Sequence, residues 1–310
     1  MSNVDTRLAD TTMLQAEGSK TRSITTYTLA RALIAAEEFM GGNCGWNGTN
    51  GVQEDFLTNF FLPNEALSIE EIETKASQAA AELNKFLKEN GFDIELEELG
   101  PNEFGAVSIL DQLVYWLEKG EKVPIYTDQS EYPGVQLKKG VSAHEVPGHN
   151  YPVVSIETKN KEENQGAGKA IVHMTILDDP PSGFDLISKT MGLKNGGQFV
   201  SCDEVQFPMI DLNLQGELDW VVGMATQATN GQDWSISKGI QQTKFRMDEV
   251  GARVQDAVAI TLERCCSMSS RIVIDKPFLL WITKEDLLYP TFTAFLDTDV
   301  WSKPTSVREM

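Results

Sequence analysis

Histidine is scarce in this 310-residue chain, which carries only His144, His149 and His173. The first two stand five apart in His144-Glu-Val-Pro-Gly-His149, with Pro147-Gly148 between them to break any helix. A helical zinc site needs its histidines at i and i+4 on one face, so this segment is expected to be a solvated loop, with no metal and no other cofactor. Cysteine is nearly as rare. Cys44, Cys202, Cys265 and Cys266 are too few and too irregular for a disulfide framework, and adjacent cysteines such as Cys265 and Cys266 rarely bond each other. Free thiols in a reducing compartment are expected. A Cys202–His173 dyad stays open, beside the commoner reading of a buried structural cysteine. No run approaches the roughly 20 apolar residues of a membrane span. Met1-Ser-Asn-Val-Asp-Thr-Arg-Leu8 lacks the apolar run of a secretory signal, which predicts an intracellular protein, in the cytoplasm or within an assembly. Asn47-Gly-Thr49 matches a glycosylation sequon, read in that setting as coincidence. Also missing are a Gly-rich phosphate loop followed by Lys-Ser/Thr, a G-x-G-x-x-G turn and a G-x-S-x-G elbow, so no enzyme activity is expected.

Basic residues are in deficit as well. Twenty-six Lys and Arg face 46 Asp and Glu, a net charge of −20. Such a surface repels phosphate backbones and anionic lipid, which excludes nucleic acid and membrane surfaces as partners and leaves proteins. Hydrophobic content of 41% and aromatic content of 8% are globular values, so the chain folds around a core of its own.

Periodicity divides the chain. Residues 1–22 read as a polar N-terminal arm, and 23–310 as one domain without repeats or long linkers. Ile24, Tyr27, Leu29, Leu33, Ile34 and Phe39 predict a helix ending at Gly41-Gly42. Ser68-Ile-Glu-Glu71 forms a capping box for a second helix through Ile72, Ala76, Leu83 and Phe86, closed by Asn90-Gly91. A third helix is predicted over Ser108–Lys119. Beyond Gly120 the period becomes that of strands, over 123–126, 152–157, 170–177, 198–207, 243–247, 271–283 and 291–297, with a charged tip at 159–166 and a short helix at 183–191. Helices early and strands late predict an α+β fold.

One C-terminal stretch is more specific. Phe245-Arg-Met-Asp-Glu249-Val-Gly251-Ala252 leads into a small, mixed run through Met268, followed by Ile272-Val-Ile-Asp275-Lys-Pro277-Phe278-Leu-Leu-Trp-Ile282. In order and spacing this resembles the end of a serpin: a strand, a Glu-x-Gly hinge, an exposed reactive loop, then a strand reading Asp-x-Pro-Phe. Phe207-Pro-Met-Ile-Asp-Leu212, the 218–224 element, Ser235–Ile240 and Thr291-Phe-Thr-Ala-Phe-Leu296 fall where the family carries comparable segments. The resemblance covers about residues 168–301. The N-terminal half departs from the pattern: the family's Asn-Ala-x-Tyr-Phe-Lys-Gly strand and its following Trp are not found, so some early elements are expected to be reduced or replaced.

The resemblance implies a serpin-like fold of N-terminal helices and large mixed or antiparallel sheets. It also implies a hinge at Glu249, Gly251, Ala252, Val254 and Asp256, and a bait position near Arg264, Cys265 or Cys266. Inhibitors of the family insert the cleaved loop as a new strand, which sends alternate side chains inward. Here Ala252, Val254, Asp256 and Val258 would face in, and an unpaired buried carboxylate costs on the order of several kcal/mol. The expected function is therefore binding or assembly with a protein partner through the loop or a sheet edge, without protease trapping. The alternative is an endopeptidase inhibitor with its bait at Arg264–Cys266.

Overall fold

A computed structural model describes residues 12–42, 44–64, 71–112, 114–128, 130–159, 170–194, 197–252 and 270–304. Its largest unit is an eight-stranded antiparallel sheet. In order across the sheet it joins β1 (Leu14–Gln15), β2 (Arg22–Ile24), β21 (Phe292–Leu296), β20 (Phe278–Lys284), β11 (Ala170–Ile176), β10 (Val153–Glu157), β9 (Val141–Glu145) and β12 (Gln198–Val200). The central strands read as continuous apolar runs because both faces are covered. Phe278, Leu279, Leu280 and Trp281 of β20 are all fully buried. Facing this sheet is a ribbon of β14 (Ile210–Glu217) and β17 (Ile240–Met247), whose alternate residues Leu212, Phe245 and Met247 point inward. The Phe245 ring stacks on Phe292 at 4.9 Å, joining the two layers.

Smaller sheets surround these layers. One joins β19 (Arg271–Val273), β13 (Glu204–Pro208), β8 (Glu131–Leu137) and β7 (Glu121–Tyr126); another joins β16 (Asp233–Ser235), β15 (Ala225–Gln227) and β3 (Trp46–Asn47). Two ribbons remain, β4 (Ile72–Ser77) with β5 (Gly105–Leu110), and β6 (Val114–Tyr115) with β18 (Gly251–Ala252). Four α-helices complete the described residues: α1 (Thr26–Phe39), α2 (Gly51–Phe56), α3 (Ala80–Glu89) and α4 (Asp185–Lys194). None of the described helices is long and apolar enough to cross a membrane.

The expected first helix is α1, and it stops where Gly41 and Gly42 take φ of 105° and 114°, a region that side chains resist. The helix expected from Ser68 begins twelve positions later, at Ala80. Residues 65–70 lie outside the described set, Ile72–Ser77 is strand, and only 80–89 is helical. Ser77 Oγ accepts from Ala79 N at 3.1 Å and donates to Glu82 Oε2 at 3.0 Å, and Ser68 lies outside the described residues. The helix expected over 108–119 is instead β5 and β6. Pairing with β4 and β18 satisfies these backbone groups across chains of contacts that local periodicity does not register.

The arm expected over 1–22 is, from Thr12 on, a packed hairpin. Leu14 pairs with Ser23, and Met13, Leu14 and Thr21 are buried. The run 198–207 breaks at Cys202-Asp203 into β12 and β13, and 271–283 breaks at Asp275-Lys276-Pro277 into β19 and β20. Of the loop expected over 144–149, His144 and Glu145 instead end β9, with His144 paired with Val153, while 146–149 is the expected turn, with Gly148 at φ 80°.

Candidate functional site

The site is built where β17 leaves the sheet. The chain reverses at Asp248: its carboxylate accepts from Val250 N at 2.7 Å, and its N donates to Gly251 O at 3.0 Å. The reversal sends Gly251 and Ala252 back as β18, with Gly251 opposite Tyr115 and Ala252 opposite Val114. Three further bonds pin the turn. Trp116 N donates to Val250 O at 3.3 Å, Gly120 N to Glu249 O at 2.7 Å, and Trp116 Nε1 to Asp248 O at 2.9 Å.

Gly251 is required by close approach, since a Cβ there would overlap the carbonyl oxygen of Val114. Gly251→Val is expected to push 251–252 off β6. Hydrogen exchange at the Gly251 and Trp116 amides should accelerate, and stability should fall by about 1–3 kcal/mol. Unchanged exchange at these amides would remove the steric account.

Glu249 is 8% exposed and faces Lys122 Nζ at 2.9 Å and Lys119 Nζ at 3.9 Å. Burial alone would push its carboxyl up. The Lys122 hydrogen bond and the two ammonium charges outweigh that and hold it below the ordinary range. Its neighbour Asp248 goes the other way, raised chiefly by burial although Val250 N partly offsets this.

The far end of the loop is fixed independently. Asp203 N donates to Ser270 O at 3.0 Å, and Ser270 N returns the bond to Asp203 Oδ2 at 2.8 Å. Arg271, the first residue of β19, pairs with the buried carboxylate of Glu204, which also accepts from Gln136 Nε2 at 3.1 Å. Residues 253–269 therefore run between two pinned ends.

Of the residues singled out from sequence, Glu249, Gly251 and Ala252 are brought together against Val114–Lys122. Val254, Asp256, Arg264, Cys265 and Cys266 lie outside the described residues. Sequence reasoning missed Trp116, Lys119, Lys122, Glu204 and Arg271 as anchors. Only Trp116 carried a signal, as a large apolar residue within the stretch 108–119 that periodicity predicts to be helical.

The other candidates resolve into structure. His173 engages both ring nitrogens, with Ser155 Oγ at 2.8 Å and Thr283 Oγ1 at 2.9 Å, so it is no base for Cys202. Burial first, then Asp203, pushes the Cys202 thiol up, the reverse of nucleophile activation. His144 Nε2 meets Leu193 O at 2.9 Å and His149 Nε2 meets Thr175 Oγ1 at 2.8 Å. Among the described residues no group of three His, Cys, Asp or Glu could hold a metal ion.

An α+β chain with an eight-stranded sheet, a facing ribbon, and a Glu-x-Gly turn leading out of that ribbon has the serpin fold, and solved structures bear this out. Human thyroxine-binding globulin complexed with thyroxine aligns over 96% of this chain and 99% of its own, at 12% identity and a TM-score of 0.57. Serpin48, a highly specific serpin of the insect Tenebrio molitor, aligns over 88% and 90%, at 11% identity and 0.54. The mouse protein Z-dependent protease inhibitor aligns over 88% and 90%, at 13% identity and 0.55. No family model and no curated protein sequence matches the chain. Identities this low establish the fold and leave the activity to the chain's own residues.

Proposed function

We propose that this chain is a non-enzymatic, non-inhibitory protein of the serpin fold that presents residues 253–269, or a sheet edge, to a protein partner or assembly subunit. The observation that carries the reading is the register at Ala252. Ala252 and Val114 stand opposite each other and both join the buried core. A strand continuing from there would turn Val254, Asp256 and Val258 to the same side, because alternate residues share a face. Burying the Asp256 carboxylate costs several kcal/mol, on the order of the penalty for any unpaired interior charge. Insertion is slowed or reversed by that amount, and a protease that cleaves the loop then completes hydrolysis. The loop remains an exposed binding element.

A second reading has an observation of its own: Gly251 and Ala252 are already paired with β6, so two rungs of an added strand exist. On that reading the chain inhibits an endopeptidase, with Arg264, Cys265 or Cys266 as bait. Incubation with a panel of serine and cysteine proteases separates the two. Cleavage between 253 and 269 with no SDS-stable adduct, and no large rise in melting temperature, is expected. A covalent adduct with a strongly heat-resistant cleaved form would establish the inhibitor. Asp256→Ala should make the cleaved chain markedly more heat-resistant; if it does not, the carboxylate is not what blocks insertion.

A further inference from the structure

The eight-stranded sheet ends on one side at β12, whose outer edge pairs with no strand among the described residues. Folded proteins shield such edges with lysine, proline, bulges or a covering segment. Gln198-Phe199-Val200 has none of the first two, and Phe199 is 87% exposed, the most exposed large apolar side chain described. The stretch is also uncharged: from Asn195 to Cys202 there is no Asp, Glu, Lys or Arg, in a chain where 23% of residues are charged. The strand is closely fitted to its inner neighbour, since a Cβ on Gly197 would overlap the carbonyl oxygen of Glu145. The edge is therefore held in place rather than frayed.

Beside this edge lies an open cleft of about 790 Å³. Glu145, Pro147, His149, Tyr151, Gly192 and Gln198 are among its walls. Gly192 lies within α4, where glycine costs about 1 kcal/mol relative to alanine. A Cβ there would meet nothing within 4 Å, so no packing inside the chain requires the glycine. The space it leaves opens on the cleft.

We infer that β12 is a self-association edge, and that its occupant is β12 of a second copy. Antiparallel pairing about a two-fold axis at Phe199 puts Gln198 opposite Val200 of the copy and Phe199 opposite Phe199, a register that is self-complementary. Directly opposed Cβ atoms in such a pair lie roughly 4.5–5.5 Å apart, so the two rings meet on the face that Phe199 shares with His144 and α4, as a favourable aromatic cross-strand pair. A neutral edge suits a second copy better than a charged partner: two chains of net charge −20 can bring it together without opposing like charges in the pair itself. A three-residue strand buries little, which places the dimer among weak, transient interfaces. The overall repulsion between acidic chains must weaken it further at low salt.

This deepens the assembly reading of the fold, yet it is read out by mass rather than by loop cleavage, so each can fail without the other. Sedimentation equilibrium over a roughly hundredfold concentration range, in low and high salt, should show mass rising toward twice that of the monomer, more steeply in high salt. Phe199→Lys should weaken the dimer at least tenfold while leaving the melting temperature unchanged, since the ring is exposed. Gly192→Leu should weaken it without destabilising the monomer. Phe39→Lys, at another exposed ring, should leave it intact. A chain that stays monomeric, a dimer indifferent to Phe199→Lys, or one that dissociates as salt rises would each overturn the inference.

Discussion

Acidification from pH 7 to pH 4 is expected to remove about 3 kcal/mol of folding stability through one side chain, His173. The imidazole is 6% exposed in the middle of β11, bonded to Ser155 and Thr283 and stacked on Trp281 at 5.0 Å and 17°. Burial, assisted by the charge of Lys194 and by His144, lowers its pKa from 6.5 to about 3. Above pH 6.5 the ring is neutral in both folded and unfolded chains and contributes no pH dependence. As pH falls below 6.5 the unfolded chain takes up a proton that the folded chain refuses, so unfolding is favoured by about 1.4 kcal/mol for each pH unit until the folded pKa is reached. The full loss, near pH 3, is on the order of 5 kcal/mol. His173→Gln supplies the control. It is neutral at every pH, so it should be the less stable chain at pH 7 and lose much less on acidification. Titration of the many carboxylates is common to both proteins. Parallel acid limbs in urea unfolding would show that His173 protonates without cost.

What the sequence made legible follows from where each signal resides. The order Glu249-x-Gly251, loop, Asp275-Lys-Pro277-Phe278 is local, and each part does local work. Glu249 and Asp248 make a turn, Gly251 admits Val114, and Pro277 closes the break between β19 and the buried run of β20. Such signals can be read at their own positions, so they point to the fold although identity to the solved neighbours is only 11–13%. The early half misled for the opposite reason. Ile72 and Ala76 stand four apart and suggest a helix face, yet Ile72 pairs with Leu110 and Ala76 with Ala106. Partners 30 and 38 positions away decide that segment, and no local pattern names them. Lys119 and Lys122 were illegible as anchors too. A lysine near a turn is ordinary until the fold brings Glu249 to it.

Replacing Trp116 with alanine should be among the most damaging single changes, costing about 3–5 kcal/mol, and should loosen the hinge as well. The side chain is 1% exposed, and its ring meets Phe207 edge-on at 5.8 Å, tying β6 to the β13 sheet. Its Nε1 holds Asp248 O at 2.9 Å and its backbone N holds Val250 O, so the same residue spans core and turn. Trp116→Phe separates these roles. Phenylalanine keeps most of the apolar contact with Phe207 but leaves the Asp248 carbonyl without its donor, a loss of about 1–3 kcal/mol. The expected order of stability is wild type, then Trp116→Phe, then Trp116→Ala. Amide exchange at Val250 and Gly251 should already rise in the phenylalanine variant, while exchange in the central strands β11 and β20 should not. Equal stability losses in the two variants would mean that the ring contributes little beyond its hydrogen bond. Unaltered exchange at 250–251 in Trp116→Phe would mean that the turn is held by Glu249 with Lys122 and by Gly120, and that Trp116 serves the core alone. The two substitutions thus determine whether the start of the loop is fastened to the hydrophobic core or to a surface ion pair. That difference decides how readily residues 253–269 can change their course, since a fastening to the core yields only with the fold, whereas an ion pair yields to salt.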